Sequence, residues 1–270
     1  MENNMVQSIF GLEGKRVLVL GGGLGMGEAT VRLLASLGCE VAIADLELER
    51  AERVAADVRA DGGVAFPFAL NVLDDAAVAA EIARVEREFG PLDGMATVIG
   101  MAAWGSLIDI DLETWDLDHN RNLRFFFVAA REVARHMIRR GAPGSIVCVS
   151  SVDGVRSAPN HGSYGAAKAG LINLVKTMAT EWSPNGIRIN VVAPGAIITP
   201  RIPHTGEAGE AAMMERVPLH RRGTVDEIAK AITFFLSDMA SYVTGQTLAV
   251  DGGFLAANIF FNPQPQTVGE

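Results

Sequence analysis

Apolar positions along the chain alternate between two spacings. Short, nearly continuous apolar runs are typical of buried strands, and they are followed by stretches with the apolar spacing of a helix. The runs predict strands over residues 16–20, 40–44, 64–68, 95–99, 145–150, 188–193 and 247–250. The helical spacing predicts helices near residues 28–37, 46–61, 74–89, 112–140, 164–183 and 225–237. Because parallel strands need a connection long enough to hold a helix, this alternation predicts an α/β fold: a single Rossmann-like, doubly wound parallel sheet with helices on both faces.

Two segments break the alternation. Residues 197–223 are rich in proline, glycine and charge and are expected to form a loop or lid, and residues 255–270 are expected to form a tail. We interpret residues 1–270 as one domain with its core at 12–254. The apolar residues expected to cover the site from the lid are Ile202, Met213, Met214 and Val217. In the tail, Phe260 and Phe261 are expected either to pack on a neighbouring subunit or to fray.

Charge and composition narrow the range of partners. The 270 residues include 23 Lys and Arg against 32 Asp and Glu, which gives a net charge of −9, and they carry no basic stripe. An acidic chain repels a phosphate backbone, so no nucleic acid partner is expected. No apolar run is long enough to cross a bilayer and the first residues do not resemble a signal peptide, so we expect no membrane partner and a cytoplasmic location. Cys39 and Cys148 lack neighbours at metal-ligand spacing, which indicates reduced, buried thiols and no metal site.

A glycine cluster separates the first predicted strand from the first predicted helix. The spacing G-x-G-x-x-G does not fit, but G-x-x-x-G-x-G fits on Gly21, Gly25 and Gly27. A turn without side chains lets the backbone approach a pyrophosphate, and the free N–H groups of the helix N-terminus point at the anion. The cluster therefore predicts a dinucleotide site rather than a merely flexible turn.

Asp45 ends the second predicted strand, where a carboxylate can accept hydrogen bonds from an adenosine ribose. The same carboxylate would repel a 2′-phosphate. Leu24 and Leu46 occupy the nearby positions where a cation could compensate, so NAD is preferred over NADP.

Tyr164 and Lys168 lie four residues apart at the start of a predicted helix, so they share one face of it. A nearby ammonium favours the phenolate, and we therefore expect Lys168 to lower the pKa of Tyr164 from its ordinary value of about 10. Ser151 follows the fifth predicted strand, where its hydroxyl could hold a substrate oxygen. Alone, a Tyr-x-x-x-Lys pair is a weak signal, but Ser151 and the upstream glycine turn strengthen it.

These motifs resemble those of the classical short-chain dehydrogenase/reductase family over nearly all of residues 12–254. The resemblance implies that Asn122, seven residues after Trp115, is a fourth catalytic residue that supports a water relaying protons to Lys168. It implies that Lys168 also binds the nicotinamide ribose, and that the residues around Pro194 contact the carboxamide. The residues expected to bind the cofactor are Gly21, Gly23, Leu24, Gly25, Met26, Gly27, Asp45, Leu46, Asn71, Val72, Ile99, Gly100, Tyr164, Lys168, Pro194, Gly195, Ile197 and Thr199.

The chain departs from the family pattern at three places. Leu20 replaces a threonine before the first glycine, and Asn71 replaces an aspartate after the third strand. The Asn-Asn-Ala-Gly motif after the fourth strand has become residues 97–100, Thr-Val-Ile-Gly, so the asparagines that brace the sheet near the cofactor are missing.

The sequence predicts an NAD-dependent oxidoreductase that interconverts a secondary alcohol and a ketone, with Tyr164 as general acid/base. The substrate is expected to be hydrophobic or cyclic, and the residues expected to contact it are Trp104, Ser151, Asp153, His161, Tyr164 and Ala196. A non-catalytic NAD-binding sensor on the same fold is the alternative. An epimerase or dehydratase acting on a sugar nucleotide would need a longer C-terminal substrate domain. The family resemblance also implies a homo-oligomer, most often a tetramer that pairs the long helices before and after the fifth strand.

Overall fold

Seven parallel strands form one sheet in the structure, a computed structural model that describes residues 9–257 except 203, 205, 216 and the side chains of 212 and 213. The strands are β1 (Arg16–Leu20), β2 (Glu40–Asp45), β3 (Val64–Ala69), β4 (Gly94–Thr97), β5 (Gly144–Val149), β6 (Ile187–Pro194) and β7 (Thr247–Val250). Their order across the sheet is β3-β2-β1-β4-β5-β6-β7. All neighbouring pairs are parallel, so the predicted fold class is confirmed.

Helices cover both faces of this sheet. They are α1 (Gly25–Ser36), α2 (Leu48–Ala60), α3 (Asp75–Glu88), α4 (Leu112–His119), α5 (Phe125–Arg139), α6 (Gly162–Trp182), α7 (Glu207–Met214) and α8 (Val225–Leu236). One apolar layer joins α3, α5 and α6 to the sheet, and a second layer on the opposite face joins α1, α2 and α8 to it. Burial on both faces explains why the strands are apolar along their whole length. Within the described part of the chain, no helix is both long and apolar enough to cross a membrane.

Two predicted segments differ from the structure. The helix predicted over 112–140 is divided into α4 and α5 by a π-helical turn, Asn120–Arg124. The segment predicted as a loop, 197–223, contains the helix α7. Apolar periodicity cannot register one widened turn, and the prolines and glycines that flank α7 concealed its short helical stretch. Both differences lie beside the carboxyl ends of the strands, where they shape the site.

Strand order places that site. β1 pairs with β2 on one side and β4 on the other, so the crossovers from β1 and from β4 leave in opposite directions. Ligands of doubly wound sheets bind in the crevice that opens at such a reversal.

Candidate active site

A cleft of about 810 Å³ opens at the carboxyl ends of β1 and β4. Of the residues predicted to bind the cofactor, all except Gly23 and Gly27 line this cleft. Of those predicted to contact the substrate, all except Ala196 line it. Asn122 lies behind the wall rather than in it. The cleft therefore brings together most of the predicted site, from the glycine turn at one end to Trp104 and His161 at the other.

The glycine turn is shaped by close backbone contacts. A Cβ atom at Gly27 would lie only 1.9 Å from the carbonyl oxygen of Gly21, and Gly21 itself has a φ of +82°. Gly27 thus packs against the turn instead of facing the ligand. α1 begins just after Leu24 without a side-chain cap, so the N–H groups of its first turn are free for an anion. This cradle fits the pyrophosphate of a dinucleotide.

The Asp45 carboxylate braces the same turn. Its Oδ2 accepts a hydrogen bond from the Gly23 N–H at 3.1 Å, and its Oδ1 accepts one from the Glu47 N–H at 3.1 Å. The expectation that no cation lies nearby is wrong, because Arg50 lines the cleft at this end. Its guanidinium is 2.8 Å from the Glu47 carboxylate. Arg50 lies in the first turn of α2, beyond the positions that the sequence motif covers.

Asn122 is held by the π-helical turn. Its Nδ2 donates to the carbonyl oxygens of Met101 and Asp118, each at 2.9 Å. Its Oδ1 is buried and has no partner among the described residues. A Cβ atom added at Gly100 would lie 3.1 Å from both Asn122 Oδ1 and Lys168 Nζ. Glycine at position 100 therefore keeps open the narrow space between an unused acceptor and an ammonium.

Tyr164, Ser151 and Lys168 lie together in the cleft, but their electrostatics differ from expectation. Burial raises the pKa of Tyr164 to about 12, while a hydrogen bond with Ser151 opposes that rise. Burial also lowers the pKa of Lys168 to about 8. The Lys168 ammonium donates to the carbonyl of Val149 at 2.9 Å and lies 5.6 Å from the centre of the Tyr164 ring. The expected lowering of the phenol pKa is therefore outweighed by burial in this structure.

Asp118 is a residue that the sequence reading missed. Its carboxylate is fully buried, accepts the Ser163 hydroxyl at 2.5 Å, and is 2.5 Å from the Arg121 guanidinium. The Ala103 N–H also points at it, at 3.3 Å. Asp118 thus connects the helix that carries Tyr164 to the loop after β4. The sequence shows only an aspartate four residues before Asn122, and neither its burial nor its three partners could be predicted from that spacing.

Asp153, His161 and Trp104 form a cluster beside the tyrosine. His161 Nδ1 is 2.7 Å from Asp153 Oδ2. The ring centres of His161 and Trp104 are 3.6 Å apart, and those of His161 and Tyr164 are 5.5 Å apart. Trp104 is 74% exposed, so it covers the histidine from the solvent side.

The segment after β6 closes one side of the cleft. Pro194, Gly195, Ile197, Thr199 and Ile202 all line it. Met214 and Val217 are buried but do not line the cleft. The side chain of Met213, and Phe260 and Phe261, lie outside the described part of the chain. The lid is anchored by Arg222, which donates to the Glu210 carboxylate at 2.6 and 2.7 Å and to the Ile202 carbonyl at 3.1 Å.

Neither cysteine lines this cleft. Cys39 and Cys148 are free and buried, as predicted. Among the described residues, no group of three or more His, Cys, Asp or Glu side chains is placed to hold a metal ion.

Comparison with known proteins identifies the family. A family model described as enoyl-(acyl carrier protein) reductase matches residues 22–255. The chain belongs to the classical short-chain dehydrogenase/reductase family. It is 36% identical to a 3-oxoacyl-(acyl-carrier-protein) reductase of Thermotoga maritima, over 90% of this chain and 99% of that one. It is 37% identical to a 2,5-dichloro-2,5-cyclohexadiene-1,4-diol dehydrogenase of Sphingobium indicum, over 91% of this chain and 98% of that one.

A solved structure extends the comparison to the fold. The gluconate 5-dehydrogenase of Burkholderia cenocepacia, in complex with NADP and tartrate, superposes with a TM-score of 0.86 at 33% identity, covering 91% of this chain and 97% of that one. The short-chain dehydrogenase/reductases use a nicotinamide cofactor, and this chain is accordingly an oxidoreductase. The named activities of its relatives act on chemically different substrates, so family membership alone leaves the substrate open.

Proposed function

We propose that the protein transfers hydride between NAD(H) and a secondary alcohol or its ketone, with Tyr164 as the general acid/base. The observation that carries this proposal is the convergence of Tyr164, Ser151 and Lys168 on one cleft whose far end is a glycine turn. A sensor would need only the glycine turn and a ribose contact. Here the proton-transferring group and its hydroxyl partner are present as well.

The cofactor end fits NAD. The first turn of α1 would bind the pyrophosphate, Asp45 the adenosine ribose, and the segment from Pro194 to Thr199 the carboxamide. When bound, the nicotinamide accepts or supplies the hydride. Asp45 supports NAD over NADP because its carboxylate would repel a 2′-phosphate. Arg50 weakens that discrimination, but its charge is already paired with Glu47.

Proton transfer is assigned to Tyr164 and its neighbours. With its pKa near 12, the phenol is protonated at neutral pH and is ready to donate to a carbonyl oxygen in the reductive direction. In the oxidative direction the phenol must lose its proton, which a charged Lys168 favours. Ser151 Oγ accepts the Asp153 N–H at 3.1 Å, and its own proton, which here serves the hydrogen bond with Tyr164, would orient a substrate oxygen. Asn122 Oδ1, buried and unpaired among the described residues, is suited to hold a water next to Lys168.

A hydrophobic or cyclic substrate is supported by the walls beyond Tyr164. Trp104, Met101 and Ile202 line that end of the cleft and are each more than half exposed, so they offer apolar surface to a ring. The relative that acts on a chlorinated cyclohexadiene diol is consistent with such a pocket.

We also propose a homotetramer that pairs α5 and α6 with their copies, as the family resemblance implies. Phe127 and Ile138 on α5 are each 40% exposed, which leaves apolar surface for such contacts. Light scattering coupled to gel filtration measures the assembly, and a monomeric mass would contradict this proposal.

The assignment of Tyr164 is tested by replacing each of the chain's two tyrosines. Tyr164→Phe should lower kcat for alcohol oxidation by about 100- to 10,000-fold, the usual contribution of a general acid/base. Tyr242→Phe is the matched control, because Tyr242 is fully exposed. Formation of NADH is followed by absorbance over a panel of cyclic, aromatic and short polar alcohols.

Three outcomes would overturn parts of the proposal. A Tyr164→Phe variant with most of its turnover would remove the proton-transfer role. Preference for the short polar alcohols would contradict the hydrophobic substrate. Tight NADH binding without turnover of any alcohol or ketone would favour the sensor.

A further inference from the structure

The His161 side chain lies between Trp104 and Tyr164, with Asp153 at one end of its ring. The Asp153 carboxylate can only accept a hydrogen bond, and it is 2.7 Å from His161 Nδ1. When the imidazole is neutral, its proton is therefore held on Nδ1 and the lone pair is left on Nε2. The contact with Asp153 therefore leaves His161 Nε2 as a hydrogen-bond acceptor.

That acceptor is unused. His161 Nε2 is buried and has no hydrogen-bond partner among the described residues. A buried polar atom without a partner is costly, and an unsatisfied group in a native structure calls for an explanation. The ring next to it belongs to Trp104, which is 74% exposed and can move without disturbing the core. A ligand that shifts Trp104 could reach Nε2 from the cleft.

The surroundings favour an uncharged donor over an anion. Asp153 lies directly behind His161, and the carboxylates of both Asp153 and Asp118 act on Tyr164. Of the guanidiniums that line the cleft, that of Arg121 is already paired with Asp118, and that of Arg201 belongs to the segment after β6. A carboxylate on the substrate would meet this negative field, whereas a hydroxyl can donate to Nε2 without charge repulsion.

We infer that the substrate is a cyclic secondary alcohol with a second hydroxyl group, and that His161 Nε2 accepts the hydrogen bond of that hydroxyl. This inference rests on the proposed function, because Tyr164 and Ser151 hold the reacting oxygen. With His161 5.5 Å from Tyr164 between ring centres, the two residues contact different oxygens of one small ring. Trp104 covers the apolar face of that ring.

The test compares ring alcohols that differ in one group. Cyclohexanediols with 1,2, 1,3 and 1,4 substitution are each paired with the methylcyclohexanol of the same geometry, in which a methyl group replaces the second hydroxyl. The measured quantity is the ratio of kcat/KM for the diol to kcat/KM for its methyl counterpart. We expect a ratio of at least about 10 for one pair in the unmodified enzyme, the factor that one hydrogen bond supplies. The ratio should fall to the statistical factor for two reacting hydroxyls against one in His161→Phe, which keeps a ring but removes both nitrogens.

Two further variants test the role of Asp153 and provide a control. Asp153→Ala should also lower the ratio, because Nδ1 is no longer held as the protonated nitrogen. His136→Phe is the matched control: His136 lies on α5 near Glu86 and does not line the cleft, so the ratio should stay unchanged. Because each ratio is measured within one variant, general losses of folding or hydride transfer cancel.

Binding separates this inference from the proposed function. Calorimetric titration of Tyr164→Phe, loaded with NAD, with the same pairs of probes should give the same preference for a diol without any turnover. Failure of the unmodified enzyme to turn over any secondary alcohol or ketone would overturn the proposed function, and the calorimetric ratio would still decide whether His161 accepts a hydrogen bond from the second hydroxyl. The inference is overturned if no diol is preferred, if the preference survives in His161→Phe, or if hydroxycyclohexanecarboxylates are preferred over the diols.

Discussion

The two ends of the cleft are formed by different parts of the chain. At the cofactor end, backbone atoms define the site: the carbonyl of Gly21 occupies the space where a Cβ of Gly27 would lie, and free N–H groups face the ligand. At the substrate end, buried side chains define the site through the contacts of Asp118 with Ser163 and Arg121. The cofactor end leaves no room for a side chain at Gly27, whereas the substrate end depends on hydrogen bonds and ion pairs between buried side chains.

This difference predicts different failures. A change at the backbone-built end should displace the turn and weaken the nucleotide while the catalytic groups stay aligned. A change at the end built from side chains should misalign the catalytic groups and leave buried charge unpaired, with little effect on the nucleotide. The four predictions below test that division, starting with the largest expected effect.

Asp118→Ala should cause the largest loss. It leaves Arg121, 17% exposed, without its carboxylate and removes the acceptor of the Ser163 hydroxyl. Breaking a buried pair typically costs about 3–5 kcal/mol of the free energy of unfolding, and partial exposure of Arg121 favours the lower figure. Urea unfolding measures the loss. We also expect kcat to fall while the dissociation constant for NADH stays nearly constant.

Asp75→Ala is the control for Asp118→Ala. Asp75 pairs with Arg124 across the protein surface, so its removal should change stability much less. Equal losses in the two variants, or an Asp118→Ala variant that loses NADH affinity but keeps kcat, would contradict the assignment of Asp118 to the substrate end.

Gly27→Ala should give the next largest effect. The added methyl group would lie 1.9 Å from the Gly21 carbonyl oxygen, and neither backbone segment can move without opening the turn. Overpacking of this kind costs about 1–3 kcal/mol, and we expect NADH affinity to fall by about 10- to 100-fold. Fluorescence titration with NADH measures the affinity.

Gly62→Ala controls for the strain of adding a methyl group. Gly62 has a φ of +85° and open space around its Cβ direction, so alanine there strains the backbone without touching the cleft. NADH affinity should not change. If Gly27→Ala binds NADH as well as Gly62→Ala does, the close contact at position 27 is not what shapes the nucleotide site.

The same contrast explains what the sequence could predict. Gly21, Gly25 and Gly27 are visible because a close backbone approach restricts the residue type at each position, and the restriction lies within one turn. The apolar runs are visible for a similar reason, since burial on both faces demands apolar residues throughout a strand. The fold and the cofactor end follow from such local signals.

The substrate end could not be predicted in the same way. Ser163 reaches Asp118 across 45 positions in the chain, and His161 reaches Asp153 across eight, so neither pairing leaves a local pattern. The pKa of Tyr164 was predicted in the wrong direction because i, i+4 spacing reports the nearness of Lys168 but not the burial of the phenol. Arg50 was missed because the first turn of α2 brings it back to the cleft.

Asp45→Asn should give a smaller effect, on cofactor choice alone. The amide oxygen can still accept the Gly23 N–H, so the glycine turn should keep its shape, although the Glu47 N–H loses its acceptor. The repulsion of a 2′-phosphate is removed. We expect the ratio of kcat/KM with NADP to kcat/KM with NAD to rise about 10-fold, on the order of the interaction of two unit charges in contact with water. Steady-state assays with both cofactors measure it.

Glu49→Gln is the matched control for charge. Glu49 lies on α2 but does not line the cleft, so the same loss of one negative charge should leave the ratio unchanged. A similar rise in both variants would mean that net charge, rather than the position of Asp45, sets the cofactor preference.

Lys168 tests the buried charge of the substrate end. Its pKa is about 8 in the folded protein and 10.5 ordinarily, so the unfolded chain binds more protons between these values. Its contribution to stability must therefore rise with pH from about 8 to 10.5, by at most about 1.4 kcal/mol per pH unit. Cys39, Cys148 and Tyr164, whose pKa values burial raises to about 12, contribute the opposite slope above their ordinary pKa values of 9.0 and 10.0, so the two slopes overlap. Lys168→Met removes the rising part and also the effect of the ammonium on the pKa of Cys148, so the two unfolding curves are compared from pH 8 to 9, below the ordinary pKa of the thiols.

Lys176→Met is the control for Lys168→Met, because Lys176 lies on the same helix with its side chain exposed. Its unfolding free energy should follow that of the unmodified chain at every pH. If Lys168→Met does so too, the Lys168 ammonium is as well solvated in the fold as in the unfolded chain, and the carbonyls of Val149 and Ile99 replace water fully. If the pH dependence of the unfolding free energy differs between Lys168→Met and Lys176→Met, folding disfavours the charge on Lys168. The substrate end then contains a destabilising buried charge, whereas the glycine turn at the cofactor end contains no charged side chain at Gly27.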